Sequence, residues 1–95
     1  MLALATVTHA DFEPTLNQTY QVTAGNGTFP FDLVDIRTLP RTAPTAKRDP
    51  FALIFRSSRP LGIPQGIYRV EHEATGPLEV FLVQTAPTDV EVVFT

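Results

Sequence analysis

Glu71, His72 and Glu73 form the one place in this chain where an imidazole stands between two carboxylates. Such a trio suits a metal site or an acid/base pair, because both residue types ligate metals and histidine exchanges protons near neutral pH. The spacing argues against it. On a strand, adjacent side chains point to opposite faces, so His72 shares a metal with neither glutamate unless a turn intervenes. His9 is the only other histidine, whereas a structural zinc site takes about four ligands, commonly Cys or His. The plainer role for His72 is to flank a turn and close the end of the face that carries Tyr68 and Val70. Ser57 and Ser58, with His72 and an aspartate, supply the parts of a nucleophilic triad. Neither serine sits in the sharp glycine-flanked turn that exposes a nucleophile, and a strand exit explains both. Asp32 and Asp35 are expected on opposite faces of one strand, which speaks against a shared proton. The phosphate-cradling and dinucleotide-binding glycine patterns are missing. Asn17 and Asn26 head glycosylation-type triplets that read as turn chemistry.

Charge gives a second candidate. Residues 37–59 hold Arg37, Arg41, Lys47, Arg48, Arg56 and Arg59 against Asp49 alone, a net of +5. Elsewhere Arg69 stands against nine acidic residues, a net of −8. Arg37, Arg41, Lys47, Arg48 and Arg59 are therefore the candidate partner-binding residues. Three roles compete for this segment. Arg56 and Arg69 simply pairing with glutamates across strands is the first in weight, at under about 1 kcal/mol each on a surface. A basic loop meeting an acidic hairpin of a neighbouring protein is the second. Nucleic-acid binding by a small barrel is the third. It is disfavoured because no aromatic interleaves the basic residues before Phe51 and Phe55, which the core needs, and because the whole chain is acidic at −3.

The elements that must position these residues are short. At 95 residues the chain, 1–95, is one domain with one core. No cysteine is present, so packing alone must hold the fold. No apolar run approaches the roughly 18 residues of a membrane helix. The first residues lack a basic region and a full apolar stretch, so no cleaved signal peptide and no membrane contact are expected; the location is cytoplasmic or open, with export by a dedicated machine or assembly into a larger particle as alternatives.

Thr8 and Asp11 fit a capping box, with Val7 and Phe12 as a hydrophobic staple. Pro14 limits that helix to one or two turns. Phe12 and Leu16, four apart, are expected to plug one end of a core. Residues 19–24 and 28–38 read as strands about Gly25, Asn26 and Gly27. A turn centred on Gly25 and Asn26 sets Thr28 opposite Thr23, Phe29 opposite Val22 and Phe31 opposite Tyr20. It is preferred because Pro30 then falls in a pair that needs no N–H. Pro30 still implies a free edge or bulge on the outer side. Residues 38–50 form a long proline-rich loop. Phe51 to Phe55 is apolar on both faces and is expected to be the most central strand. Residues 66–84 read as a hairpin about a loop of Glu73 to Thr75, pairing Val70 with Leu78, Arg69 with Glu79, Tyr68 with Val80 and Ile67 with Phe81. Slipping by two would oppose Glu71 and Glu79. A last strand carries Val90, Val92 and Phe94 on one face. The sum is an all-β domain, a small antiparallel barrel or sandwich of about six strands with one short N-terminal helix.

Residues 64–72 (PQGIYRVEH) followed by 76–83 (GPLEVFLV), with 11–14 (DFEP), 24–28 (AGNGT) and 51–56 (FALIFR), resemble an uncharacterised small bacterial domain family, a domain of unknown function. The likeness covers nearly the whole chain and transfers no catalytic residue. Members of the family resemble short stand-alone proteins, sometimes encoded near phage-tail-collar-like genes, which implies an accessory or assembly role in a tail-like or surface particle. Relatives often carry Pro after the hairpin histidine, where this chain has Glu73.

The expected function is that of a non-enzymatic structural or interaction module without cofactor or metal. It would meet a protein partner, or a second copy of itself, by an edge strand or a surface patch steered by the basic loop. The alternatives are a small hydrolase or metal-dependent enzyme around His72, and a nucleic-acid-binding small barrel using residues 37–59.

Overall fold

Two pairing registers organise the fold, and both follow from residues that resist the alternatives. The structure, a computed structural model, describes residues 7–25, 27–40, 49–60 and 62–94. Strand β1 (Thr19–Ala24) and strand β2 (Gly27–Thr38) pair with Thr23 opposite Thr28, Val22 opposite Phe29 and Tyr20 opposite Phe31. Gly25 turns the chain at φ +61°, a conformation glycine adopts without strain. The Leu33 N–H donates to the Gln18 carbonyl at 3.0 Å. Counting back along the alternating ladder leaves Pro30, opposite Gln21, in a pair that asks no N–H of it. Strand β4 (Gly66–His72) and strand β5 (Gly76–Ala86) pair with Val70 opposite Leu78 and Arg69 opposite Glu79. The like-charged pair of Glu71 and Glu79 is thereby avoided.

Strand β3 (Phe51–Arg56) and strand β6 (Asp89–Phe94) complete a closed antiparallel barrel in the order β1-β2-β3-β6-β5-β4. Closure is made by β1 on β4, with Val22 opposite Val70. The two long strands each serve two neighbours. β2 pairs with β1 through its first half and with β3 from Asp32 onward. β5 pairs with β4 up to Leu82 and with β6 from Val83 onward. At each handover the register shifts, between Leu33 and Asp35 and between Gln84 and Ala86. Such bulges sharpen the bend that a six-stranded sheet needs to close.

The barrel interior is lined by alternate residues: Tyr20 and Val22, Phe31 and Leu33, Phe51, Leu53 and Phe55, Val70, Leu78, Val80 and Leu82, and Val90, Val92 and Phe94. One end is plugged by the N-terminal segment. Helix α1 (His9–Phe12) continues as a 3-10 turn over Glu13–Thr15. The expected capping box is present, and within it the Thr8 N–H donates to the Asp11 carboxylate at 2.8 Å. Val7 and Phe12 are buried as a staple pair. Phe12 tilts onto Phe51 and Phe94, which stack on each other at 4.7 Å. Leu16 does not join the plug and is 40% exposed. The helix stops one residue too early: Leu16 is already extended at ψ 133° and Asn17 turns to φ 68°, so the four-residue spacing no longer places it below Phe12.

β3 is buried on both sides, as its composition implies, although a closed barrel has no central strand. Ala52 and Ile54 point outward yet are buried, flanked in register by Arg37 and Asp35 on β2 and by Val93 and Glu91 on β6. Among the described residues no helix is long and apolar enough to cross a membrane.

Candidate interaction surface

Among the described residues the barrel interior is closely packed. The void among Phe12, Tyr20, Phe55, Val70 and Phe94 is about 10 Å³, at the lower limit for one water. Function therefore falls to the outer faces and the ends.

His72 ends β4 with its ring turned inward, 4.9 Å from the ring of Tyr20. Its Nδ1 accepts the Ala74 N–H at 2.9 Å, and its Nε2 lies 2.8 Å from Oε1 of Gln18. A backbone N–H only donates, so Nδ1 carries no proton and Nε2–H donates to Gln18. Nδ1 thus fixes the β4–β5 turn and Nε2 ties it to the segment leaving the helix. This is the turn-flanking, end-closing role expected of His72. His9 is engaged elsewhere, with Glu13 at 3.2 Å and against the Phe51 ring. Among the described residues no three His, Asp or Glu side chains gather closely enough to hold a metal ion. Beside His72 lies an open polar cleft of about 550 Å³ lined by Gln18, Thr19, Gln21, Glu71 and Glu73.

Below His72 is a buried hydroxyl cluster that the sequence pattern did not reveal. The Tyr20 hydroxyl lies 2.7 Å from Thr15 Oγ1, which donates on to the Phe12 carbonyl. Thr75, a turn residue, is buried and donates to the Gly76 carbonyl. Burial pushes the Tyr20 phenol above its ordinary value, opposed by hydrogen bonds to Thr15 and Thr75.

Of the other chemical candidates, Ser57, Asp32 and Asp35 are each tied to a structural partner. Ser57 is buried, and its hydroxyl donates to the carbonyls of Arg59 and Thr88. Asp32 and Asp35, expected on opposite faces, both point outward. The bulge at Val34 inserts one extra residue and reverses the alternation beyond it. Each carboxylate has its own partner: Asp32 accepts from Thr19 Oγ1 at 2.6 Å and Asp35 from Arg37 Nε at 2.8 Å.

The basic segment is spread along the barrel. Arg37 is exposed beside Asp35, whose hydrogen bond raises its pKa further, with Glu91 and Asp89 adding to the effect. Arg56 forms a two-pronged bridge to Asp89 across the β3–β6 ladder, at 2.8 and 3.1 Å. That bridge holds Asp89 below the usual carboxylate range against its partial burial, with Thr88 assisting. Arg69 bonds Glu71 on its own strand at 2.9 Å rather than a glutamate across the ladder. Arg59 is exposed beyond the end of β3, beside a small pocket with Phe29, Pro30 and Ser58. Arg41, Lys47 and Arg48 lie outside the described residues. The charge separation seen along the chain is thus mixed on the outer face that carries Arg37, Arg56, Asp35, Asp89 and Glu91.

What stands out is apolar. Ile67 and Phe81 are 72% and 51% exposed and directly opposite each other on the outer face of β4 and β5. Val93, outward on β6, is 50% exposed. The parity of the hairpin held this signal: with Tyr68, Val70, Val80 and Leu82 facing in, Ile67 and Phe81 must face out. The next rung on the same face is Arg69 with Glu79. A cross-strand apolar pair adds about 0.2–1 kcal/mol to a sheet by itself. Covering it from water is worth about 1.5–3 kcal/mol for each side chain that becomes fully buried.

A family model described as a domain of unknown function (DUF6916) matches residues 7–94. The chain belongs to this family. The match spans every strand of the barrel and the plugging helix, and DUF6916 assigns no activity to the His72 cleft or to the Ile67 rung. No curated protein matches the chain, and no solved structure matches it.

Proposed function

We propose that this DUF6916 domain is a non-enzymatic interaction module that meets a protein partner with the outer face of β4 and β5. The observation that carries this reading is the exposed Ile67–Phe81 rung on a barrel whose interior is filled. Contiguous apolar side chains on an otherwise polar face mark contact sites more often than isolated ones do. Two contact modes were expected, and the closed barrel favours the surface patch. Among the strand edges left open, residues 27–31 of β2 beyond the end of β3 carry Pro30, which blunts edge pairing there. The basic residues Arg37 and Arg59, with Arg41, Lys47 and Arg48, would steer approach rather than form the contact. An accessory or assembly role, the kind implied by the family resemblance, needs no chemistry beyond this.

Co-purification from native extract at low and high salt tests the reading. A protein that is retained by the wild type and lost with Ile67→Asp/Phe81→Asp, both folded by circular dichroism, is the expected result. Equal retention by the two would overturn it.

A further inference from the structure

The outer face of β4 and β5 is self-complementary, and we propose that the partner on it is a second copy of this chain. The inference rests on the reading of this face as the contact surface and goes on to name its occupant. Consecutive outward rungs are Ile67 with Phe81, Arg69 with Glu79, and Glu71 with Pro77. A twofold axis parallel to the strands, midway between β4 and β5 and just above the face, lays β4 of one protomer over β5 of its partner. Residues at the same height then meet. Ile67 covers the Phe81 position of the other copy, and Arg69 covers the Glu79 position. Both contacts are made twice, as a twofold interface requires. On the first two rungs each apolar group thus meets an apolar group and each charge its opposite, and on the third Glu71 covers Pro77. No rung opposes like charges.

The side chains can reach. Arg69 spends Nε on Glu71 at 2.9 Å, which leaves its two terminal amino groups, and a guanidinium carries five donors in all. Arg69 and Glu79 are exposed. Gln21 and Thr23 on β1, opposite Glu71 and Arg69, provide the polar rim around an apolar centre that protein interfaces show. Two exposed apolar side chains per copy, Ile67 and Phe81, fall short of the roughly 800 Å² per partner of a stable complex. The dimer is therefore weak and concentration-dependent, and sensitive to salt through its Arg69–Glu79 contacts.

Charge reversal tests the pairing directly. Sedimentation of the wild type from about 10 µM to about 1 mM at low salt is expected to show monomer passing to dimer, as suits a small interface. Arg69→Glu sets Glu over Glu twice in the twofold pair, and Glu79→Arg sets Arg over Arg twice. Each variant alone is expected to stay monomeric throughout that range. Mixed one to one, they oppose Glu to Arg at both contacts and are expected to form a heterodimer. The exchange Arg69→Glu/Glu79→Arg restores both the pair within the hairpin and the pair across the interface. It is expected to dimerise like the wild type, which covers the case where a single reversal fails to fold. A wild type that stays monomeric, single reversals that dimerise unchanged, or a mixture that does not associate would each overturn the second-copy assignment. In that event, retention of a different protein that is lost with Ile67→Asp/Phe81→Asp would keep the surface reading while assigning it another occupant. Failure of both experiments would remove the surface reading as well.

Discussion

Replacing Phe55 by alanine is expected to remove a large part of the domain's stability. Phe55 is 1% exposed and sits edge-on to Tyr20, with ring centres 5.1 Å apart and planes at 73°. In register it lies between Leu33 and Val90, both buried. Truncating a buried Phe costs about 3–5 kcal/mol through lost transfer energy and the cavity left behind. The site should fall toward the upper part of that range. Hydrogen-bonded ladders on both sides of β3 prevent the wall from collapsing inward, and an edge-to-face aromatic pair worth about 0.5–1.5 kcal/mol is lost as well. Domains of this size hold about 5–15 kcal/mol in total. At about 4–8 °C per kcal/mol, a loss of about 4–5 kcal/mol should lower the midpoint of thermal unfolding by roughly 16–40 °C. Phe81→Ala is the matched control, since it deletes the same atoms from a half-exposed outer position and should cost under about 1 kcal/mol. Urea and thermal melts of both variants, followed by circular dichroism, make the comparison. Equal losses in the two variants would refute the assignment of Phe55 to the inside and Phe81 to the outside.

Three further outcomes follow from the same packing. Tyr20→Phe removes the hydroxyl bonded to Thr15 and should cost about 0.5–1.5 kcal/mol in denaturant melts. Because burial raises the Tyr20 pKa, its proton is held more tightly in the folded state. That contribution is complete below the ordinary tyrosine value near about 10, and is lost as pH rises through the folded value, by at most about 1.4 kcal/mol per pH unit; Tyr20→Phe should flatten this alkaline limb. Asp89 has a lowered pKa beside Arg56, so its contribution is present above the ordinary aspartate value near about 4 and is lost as pH falls through the folded value. Asp89→Asn should abolish that part of the acid dependence in melts at graded pH, and an unchanged acid limb would show the bridge to be inert. Pro30→Thr restores a donor on the open edge of β2 and should raise aggregation measured by light scattering at constant melting temperature.

How much of this was legible in the sequence depended on whether local residues ruled out alternatives. Pro30 set the β1–β2 register, because only one turn spared it a hydrogen bond, and Glu71 against Glu79 set the β4–β5 register. The capping box at Thr8 and Asp11 placed the helix. What escaped was non-local or turned on one residue. The closure of β1 on β4 joins segments about fifty residues apart with no side-chain signature beyond apolar faces. The bulge at Val34 looks like any strand residue in sequence, yet it moved Asp35 to the face of Asp32. Leu16 failed because a four-residue spacing means something only while the helix lasts. Thr75 carries no local signal beyond its place in a turn, yet it is buried and hydrogen-bonds Tyr20. The contact face was readable in principle from parity, since fixing the inner residues of the hairpin exposes Ile67 and Phe81.

The most direct test of the contact surface is hydroxyl-radical footprinting, comparing dilute protein with the concentrated or partner-bound state. Phe81 is an aromatic ring half open to solvent, so its oxidation reports cover on β4 and β5 directly. Protection of Phe81 and Ile67 on association, with Arg59 unchanged, is the predicted result. Undiminished oxidation of Phe81 in the associated state, with protection at His72 or Arg59 instead, would contradict it.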